Sequence, residues 1–139
     1  MRTRLTAIIK ILSLVALILV IFLEAIPYGV KMTWKSDTMS STSYHSYFDS
    51  IPYGYGDVGP LFCAIISVLL FALMFTSIFI ALPRWVDITM LVLAVIATLF
   101  SLMPMAFDGY TVVGGFISAI MLVLSEAMLF ICKNSNTKS

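Results

Sequence analysis

Four long apolar runs constrain this chain more than any other feature of its sequence. The runs cover residues 5–26, 60–82, 85–103 and 111–132, and each is about 19 to 23 residues long. A helix of this length rises far enough, at 1.5 Å per residue, to cross a hydrocarbon core about 30 Å thick. Charged residues make up only 11% of the chain, against about 25% in soluble domains. The sequence therefore predicts an all-α integral membrane four-helix bundle with antiparallel up-down topology.

The four runs predict a single membrane domain over residues 1–139. Residues 27–59 are expected to form a long outer loop between the first and second helices, and residues 133–139 a cytoplasmic tail. Six of the eight basic residues fall at the chain ends or in the turn before the third helix, which lie on one side. The positive-inside rule then predicts a multi-pass protein of the cell membrane with both termini cytoplasmic. The six residues are Arg2, Arg4, Lys10, Arg84, Lys133 and Lys138.

The first run allows a second interpretation as a secretory signal peptide. Arg2, Arg4 and Lys10 precede an apolar stretch at residues 11–23, the arrangement of a cleaved leader. Cleavage after Ala25 would leave three helices. We favour a retained helix, because Leu23 would occupy a position before the cut where a small residue is usual. The sequence leaves both alternatives open.

The tetrapeptide Ile-Pro-Tyr-Gly occurs twice, at residues 26–29 and 51–54. Proline cannot donate a helical hydrogen bond, glycine frays helix ends, and tyrosine favours the headgroup zone of a bilayer. We therefore expect the first copy to end the first helix at the outer membrane surface. The second copy leads to Gly59 and Pro60, where proline suits the first turn of the second helix.

The segment between the two copies contains four aromatic candidates for outer-loop interaction. Tyr44, Tyr47 and Phe48 have the spacing of one face of a short helix, and Trp34 precedes them. We expect this segment to lie on the membrane surface as an interfacial cap over the bundle. A recognition loop is the alternative, because these residue types make good interface anchors.

Two ionisable residues fall inside the predicted spans at a shared depth. Lys10 and Glu126 both lie roughly 8 to 9 Å from the same membrane surface, given their positions in the first and fourth runs. Gly115 and Ala119 share a helix face with Glu126, and small residues allow close helix contact. We therefore predict an intramembrane ion pair between Lys10 and Glu126, with Gly115 and Ala119 as helix-packing residues. Its role is either structural or that of a proton or cation relay.

The remaining charged and sulfur-containing groups suggest no further site. Glu24 is expected at a solvated helix end, and Asp87 is expected to pair with Arg84 at a spacing of three residues. Cys63 and Cys132 lie near opposite ends of the predicted bundle, so no intramolecular disulfide is expected.

The sequence contains little that resembles an enzyme motif. His45 is the single histidine, and Asp49 four residues later could orient it, but no nucleophile or second metal ligand accompanies it. We therefore expect no catalytic residue, no metal, no cofactor and no enzymatic activity. The net charge of +1 and the lack of a basic stripe argue against a nucleic-acid partner.

These observations predict a structural or protein-interaction component of the cell membrane. Its expected partners are the lipid bilayer and a membrane protein or a second copy of the chain. The alternative is a small transporter or channel subunit that uses Lys10 and Glu126, as an oligomer formed through a small-residue face of the third helix. That face contains Ala94, Ala97, Thr98 and Ser101.

The stretch from Ser46 to Pro60, "SYFDSIPYGYGDVGP", together with the Pro-Tyr-Gly stop of the first helix, carries a family resemblance. The chain resembles uncharacterised small four-span integral membrane proteins of Gram-positive bacteria over nearly its whole length. That group has no assigned activity. The resemblance implies a four-span fold and a membrane location only.

The predicted topology makes a direct labelling prediction. A cysteine introduced at Ser41 should react with an impermeant thiol reagent added outside the cell, and one at Ser135 only after the inner face is exposed. Each is made in a background lacking Cys63 and Cys132. Labelling of both positions from the same side would contradict the topology.

Overall fold

A computed structural model describes residues 2–49, 58–106 and 109–135. Each of its four α-helices is long and apolar enough to cross a membrane. The predicted helical class is confirmed at this level, and the described residues add a small antiparallel sheet. The elements are α1 (Arg2–Ala25), β1 (Val30–Lys35), β2 (Ser40–His45), α2 (Gly59–Phe79), α3 (Arg84–Ala106) and α4 (Val112–Ser135).

Proline and glycine set several helix ends. α1 ends at Ala25, two residues before Pro27, and α2 begins at Gly59 with Pro60 in its first turn. This placement suits Pro60, because the first helical residues need no main-chain donor. Gly59 also permits close packing, since a Cβ there would lie 2.8 Å from the Phe100 carbonyl oxygen. The start of α2 therefore meets α3 backbone to backbone.

Each helix packs against two others: α1 and α3 both contact α2 and α4. Lys10 of α1 donates to the Ser77 carbonyl of α2 at 3.4 Å. The Ser118 hydroxyl of α4 donates to the Ser101 carbonyl of α3 at 3.1 Å. Leucine, methionine and isoleucine fill the space between the helices. The fully buried examples are Leu17, Leu70, Met74, Met90, Ile117 and Met121.

The segment after α1 folds as a β-hairpin. β1 and β2 pair antiparallel, with Val30 opposite His45 and Lys35 opposite Ser40. The predicted surface helix through Tyr44, Tyr47 and Phe48 is therefore wrong. Its aromatic spacing was compatible with a helix, but Thr, Trp and Tyr also favour strands, and pairing with the preceding strand decides between the two.

Three hydrogen bonds between described residues connect the hairpin segment, residues 29–47, to the helical bundle. The Tyr47 main-chain N–H donates to the Glu24 carbonyl of α1 at 2.9 Å, and the Lys31 N–H donates to the Gly109 carbonyl at 3.0 Å. The Thr111 hydroxyl donates to the Gly29 carbonyl at 2.8 Å. We call this end of the bundle the hairpin end and the end that contains residues 3 and 135 the terminal end.

Tyr47 is the part of the hairpin segment that enters the core. Its side chain is 0% exposed, and it lies so close to Gly29 that a Cβ there would be 2.7 Å from the Tyr47 ring. Tyr44, three residues earlier, is 49% exposed and touches Tyr28 at a ring-centroid distance of 5.7 Å. The two tyrosines therefore have different roles, and Tyr47 contributes to the core.

We expect Tyr47→Ala to destabilise the protein by about 3–5 kcal/mol, because a large aromatic side chain leaves the core. The matched variant Tyr44→Ala should cost about 1 kcal/mol or less, since that ring is half exposed. Thermal unfolding of both purified variants in detergent would measure the difference. Equal destabilisation would show that Tyr47 does not anchor the hairpin.

Candidate functional site

Glu24 is a fully buried carboxyl group at the hairpin end. It is 0% exposed, so the prediction of a solvated helix end is wrong. Its Oε1 accepts from the Ser67 hydroxyl at 2.8 Å and from the Cys63 thiol at 3.4 Å, both on α2. The Tyr47 main-chain N–H donates to the Glu24 main-chain carbonyl, so the segment after β2 lies against the end of α1 next to the Glu24 side chain. Glu24, Cys63 and Ser67 form what we call the Glu24 cluster.

One atom of the Glu24 cluster is left without a partner. Oε2 of Glu24 is fully buried and accepts no hydrogen bond from the described residues. Sequence reasoning missed this cluster, although one signal was present. Cys63 and Ser67 are four residues apart on the first turns of α2, which places them on one helix face. Cys63 and Ser67 therefore give the start of α2 a polar face. If that face packs against the end of α1, it can form a buried contact with Glu24.

Lys10 lies at the other end of the bundle and is not paired with Glu126. Its ammonium group donates to Ser77, and the described residues place no ion pair on either Lys10 or Glu126. Lys10 and Asp87 line a cavity of about 250 Å³ at the terminal end. Asp87 makes no ion pair with Arg84, which differs from the sequence prediction. The cavity also contains polar groups of Thr6, Asn134 and Ser135.

Glu126 points out of the bundle, in contrast to its predicted inward orientation. The residue is exposed, and it lines a groove of about 410 Å³ between α1 and α4. Leu12, Ser13, Ala16 and Val123 are among the other residues of this groove, which we call the Glu126 groove. A carboxyl group that pairs with none of the described residues therefore lies on a surface that is otherwise almost entirely apolar.

The packing face of α4 lies one residue earlier than the sequence predicted. Gly115 is half-buried and Ala119 is exposed, whereas Gly114 and Ser118 are buried. The predicted packing residues are therefore corrected by one position. Small residues occur in adjacent pairs along α4, so their spacing fits both registers. The prediction chose the stripe through Gly115 and Ala119, and the inward direction of Glu126 followed from that choice.

The small-residue face of α3 packs inside the bundle. Ala94, Ala97 and Ser101 are fully buried, and the Thr98 hydroxyl lies 3.1 Å from the Ser125 hydroxyl of α4. This face is used within the chain, so it is not free to form the predicted contact between copies.

Three of the four aromatic loop candidates lie at the surface. Trp34, Tyr44 and Phe48 are exposed, whereas Tyr47 is buried. Tyr44 also lines a shallow recess of about 600 Å³ at the hairpin end, together with Tyr28, Lys31 and Tyr110. An aromatic rim of this kind suits a membrane interface.

Histidine and cysteine give no metal site in the described ranges. The His45 ring lies 3.5 Å from the Asp49 carboxylate, in a half-exposed contact beside β2. Within residues 2–49, 58–106 and 109–135, no three His, Cys, Asp or Glu side chains are grouped closely enough to share a metal ion. Cys63 and Cys132 are both free thiols.

Comparison with known proteins adds no relative. No family model, curated protein or solved structure matches this chain. The site geometry is therefore the basis for any functional proposal.

Adjacent residues on α4 test the corrected register. Ser118→Leu should destabilise the bundle by about 1–3 kcal/mol, because the larger side chain is forced between α3 and α4. Ala119→Leu, which adds its bulk outside the bundle, should change the stability by about 0.5 kcal/mol or less. Unfolding of the two variants in detergent compares them directly. A larger cost for Ala119→Leu would restore the register predicted from the sequence.

Proposed function

We propose that the chain is an integral protein of the cell membrane, with an antiparallel up-down bundle and both termini cytoplasmic. Contacts between helices support the topology. Lys10 near the start of α1 meets Ser77 near the end of α2, whereas Glu24 near the end of α1 meets Ser67. The excess of basic residues at the terminal end supports the orientation. The resemblance to small four-span proteins of Gram-positive bacteria is consistent with this location.

Within the membrane, we propose that the protein is an interaction component that binds another spanning helix in the Glu126 groove. One observation carries this proposal: the Glu126 carboxyl is exposed between α1 and α4 and makes no hydrogen bond or ion pair with the described residues. A charged side chain facing lipid costs about 2.5–3.5 kcal/mol at the bilayer centre on insertion scales, and it costs less at the shallower depth of Glu126. A partner that pairs with it offsets this cost.

Charge complementarity selects the occupant of the groove. The best partner for Glu126 is a spanning helix of another protein with a lysine or arginine at the same depth. Small side chains at Ser13 and Ala16 leave room for such a helix. A second copy is less suitable, because the bundle's own Lys10 is turned toward Ser77. The proposed role therefore involves binding rather than catalysis.

The transporter or channel alternative was based on a pair of Lys10 and Glu126. Their side chains have separate surroundings, so that pair does not support a relay. Between the terminal-end cavity and the Glu24 cluster, the core is filled by apolar residues such as Leu17, Leu70 and Met74. This packing favours the binding role over a polar pathway through one chain.

A designed peptide can test the groove in liposomes. We would reconstitute the labelled protein with a polyleucine spanning helix that carries one lysine at the depth of Glu126, and measure energy transfer between them. The lysine peptide should bind about tenfold more tightly than an all-leucine peptide, as expected for one interhelical polar contact of about 1–2 kcal/mol.

Glu126→Gln should remove most of this preference, because it removes the charge with little change in volume. Asp87→Asn, which removes a carboxylate outside the groove, serves as the matched control and should leave the preference intact. Equal binding of both peptides to the parent protein would contradict the proposal. Energy transfer between two labelled copies that disappears in Glu126→Gln would assign the groove to self-association instead.

A further inference from the structure

The Glu24 cluster contains a carboxyl group without a counter-charge. The side-chain hydrogen bonds of Glu24 to described residues come from Ser67 and Cys63, both on Oε1, and Oε2 has no hydrogen-bond partner. An ionised carboxylate in this position would keep a buried anionic oxygen unsatisfied. That arrangement is far more costly than an unpaired oxygen of a neutral acid.

The hydrogen bonds of Ser67 also favour a protonated Glu24 carboxyl. Its hydroxyl lies 2.8 Å from Glu24 Oε1 and 2.9 Å from the Cys63 carbonyl oxygen. A hydroxyl has one proton, so unless it shares that proton between two acceptors, as Ser118 does between the Gly114 and Ser101 carbonyls, it cannot donate to both oxygens. A proton on the carboxyl group resolves the conflict: the carboxyl O–H donates to the Ser67 oxygen, and Ser67 donates to the Cys63 carbonyl. Both short contacts are then complete hydrogen bonds.

Among residues 2–49, 58–106 and 109–135, the hydrogen-bond partners of Glu24 carry no positive charge. α2 contributes the Cys63 thiol and the Ser67 hydroxyl. The hairpin segment contributes Tyr47, whose main-chain N–H donates to the Glu24 main-chain carbonyl and whose side chain is buried. No described lysine, arginine or histidine forms an ion pair with Glu24. The proton is therefore the cation that fits the closed cluster.

We propose that Glu24 is a proton-binding site controlled by the hairpin. In the closed structure the carboxyl group holds a proton and donates it in a hydrogen bond to Ser67. On release, the carboxyl O–H bond breaks and the proton passes to water at the hairpin end. The carboxylate then needs water, which enters when the contact between Tyr47 and the end of α1 opens. This inference does not depend on the Glu126 groove.

Reaction of Cys63 with a water-soluble maleimide measures the opening. Both proteins carry Cys132→Ser, so that Cys63 is their one thiol, and one also carries Glu24→Gln, whose amide imitates the protonated acid. The ratio of their rate constants, parent over Glu24→Gln, should be near one at acidic pH. Once the pH exceeds the pKa of the water-exposed carboxyl in the open state, the ratio should rise by up to about tenfold per pH unit until the carboxyl of the closed state itself ionises, because opening in that range releases one proton. A ratio that stays constant with pH would overturn the proposal.

Infrared spectroscopy provides a readout that does not depend on thiol chemistry. At neutral pH the parent protein should show the C=O stretch of a protonated carboxylic acid, and Glu24→Gln should lack it. If Glu24→Gln does not fold, Ser67→Ala replaces it, since removal of the hydroxyl acceptor should shift the frequency of the same band. Absence of the band in the parent protein, or a band unchanged by the folded variant, would show that Glu24 holds no proton.

Discussion

Polar groups in a spanning helix need partners inside the protein, because hydrocarbon offers none. Several hydroxyls meet this need by donating to a carbonyl one turn earlier, as Ser125 does to Met121 at 3.0 Å and Thr98 to Ala94 at 2.8 Å. Once satisfied in this way, a small hydroxyl residue can lie between helices. Ser118 uses the same arrangement and also reaches the Ser101 carbonyl of α3. The close packing of the bundle depends on these local bonds.

Helix number and approximate helix bounds could be predicted from the length of the apolar runs alone. Length and hydrophobicity are local properties, so they can be read without knowing which helices meet. The hairpin could not be predicted, because β1 and β2 stabilise each other and Tyr47 is buried against Gly29, Gly114 and the end of α1, which are distant from it in the sequence. Tertiary contacts therefore decided the structure of the segment whose local pattern was ambiguous.

Glu24 and Glu126 show why burial of a charged residue is hard to read from one helix. Adjacent residues on a helix are about 100° apart, so one step of register turns a side chain from the core to the surface. In α4 that step separates buried Ser125 from exposed Glu126. Glu24, at the end of α1, has its environment set by α2 and the hairpin. Its burial is a property of the assembled bundle, which no local pattern encodes.

The fastening of the hairpin to both α1 and the start of α4 has a consequence for biosynthesis. The hairpin emerges from the ribosome directly after α1, but its partners Gly109 and Thr111 are made more than sixty residues later. Until α4 has been made, Gly29 and β1 lack these two contacts and Tyr47 lacks its contact with Gly114. Docking of the hairpin therefore completes only after the last helix has been synthesised and has packed, and it marks the moment at which the chain has assembled all four helices.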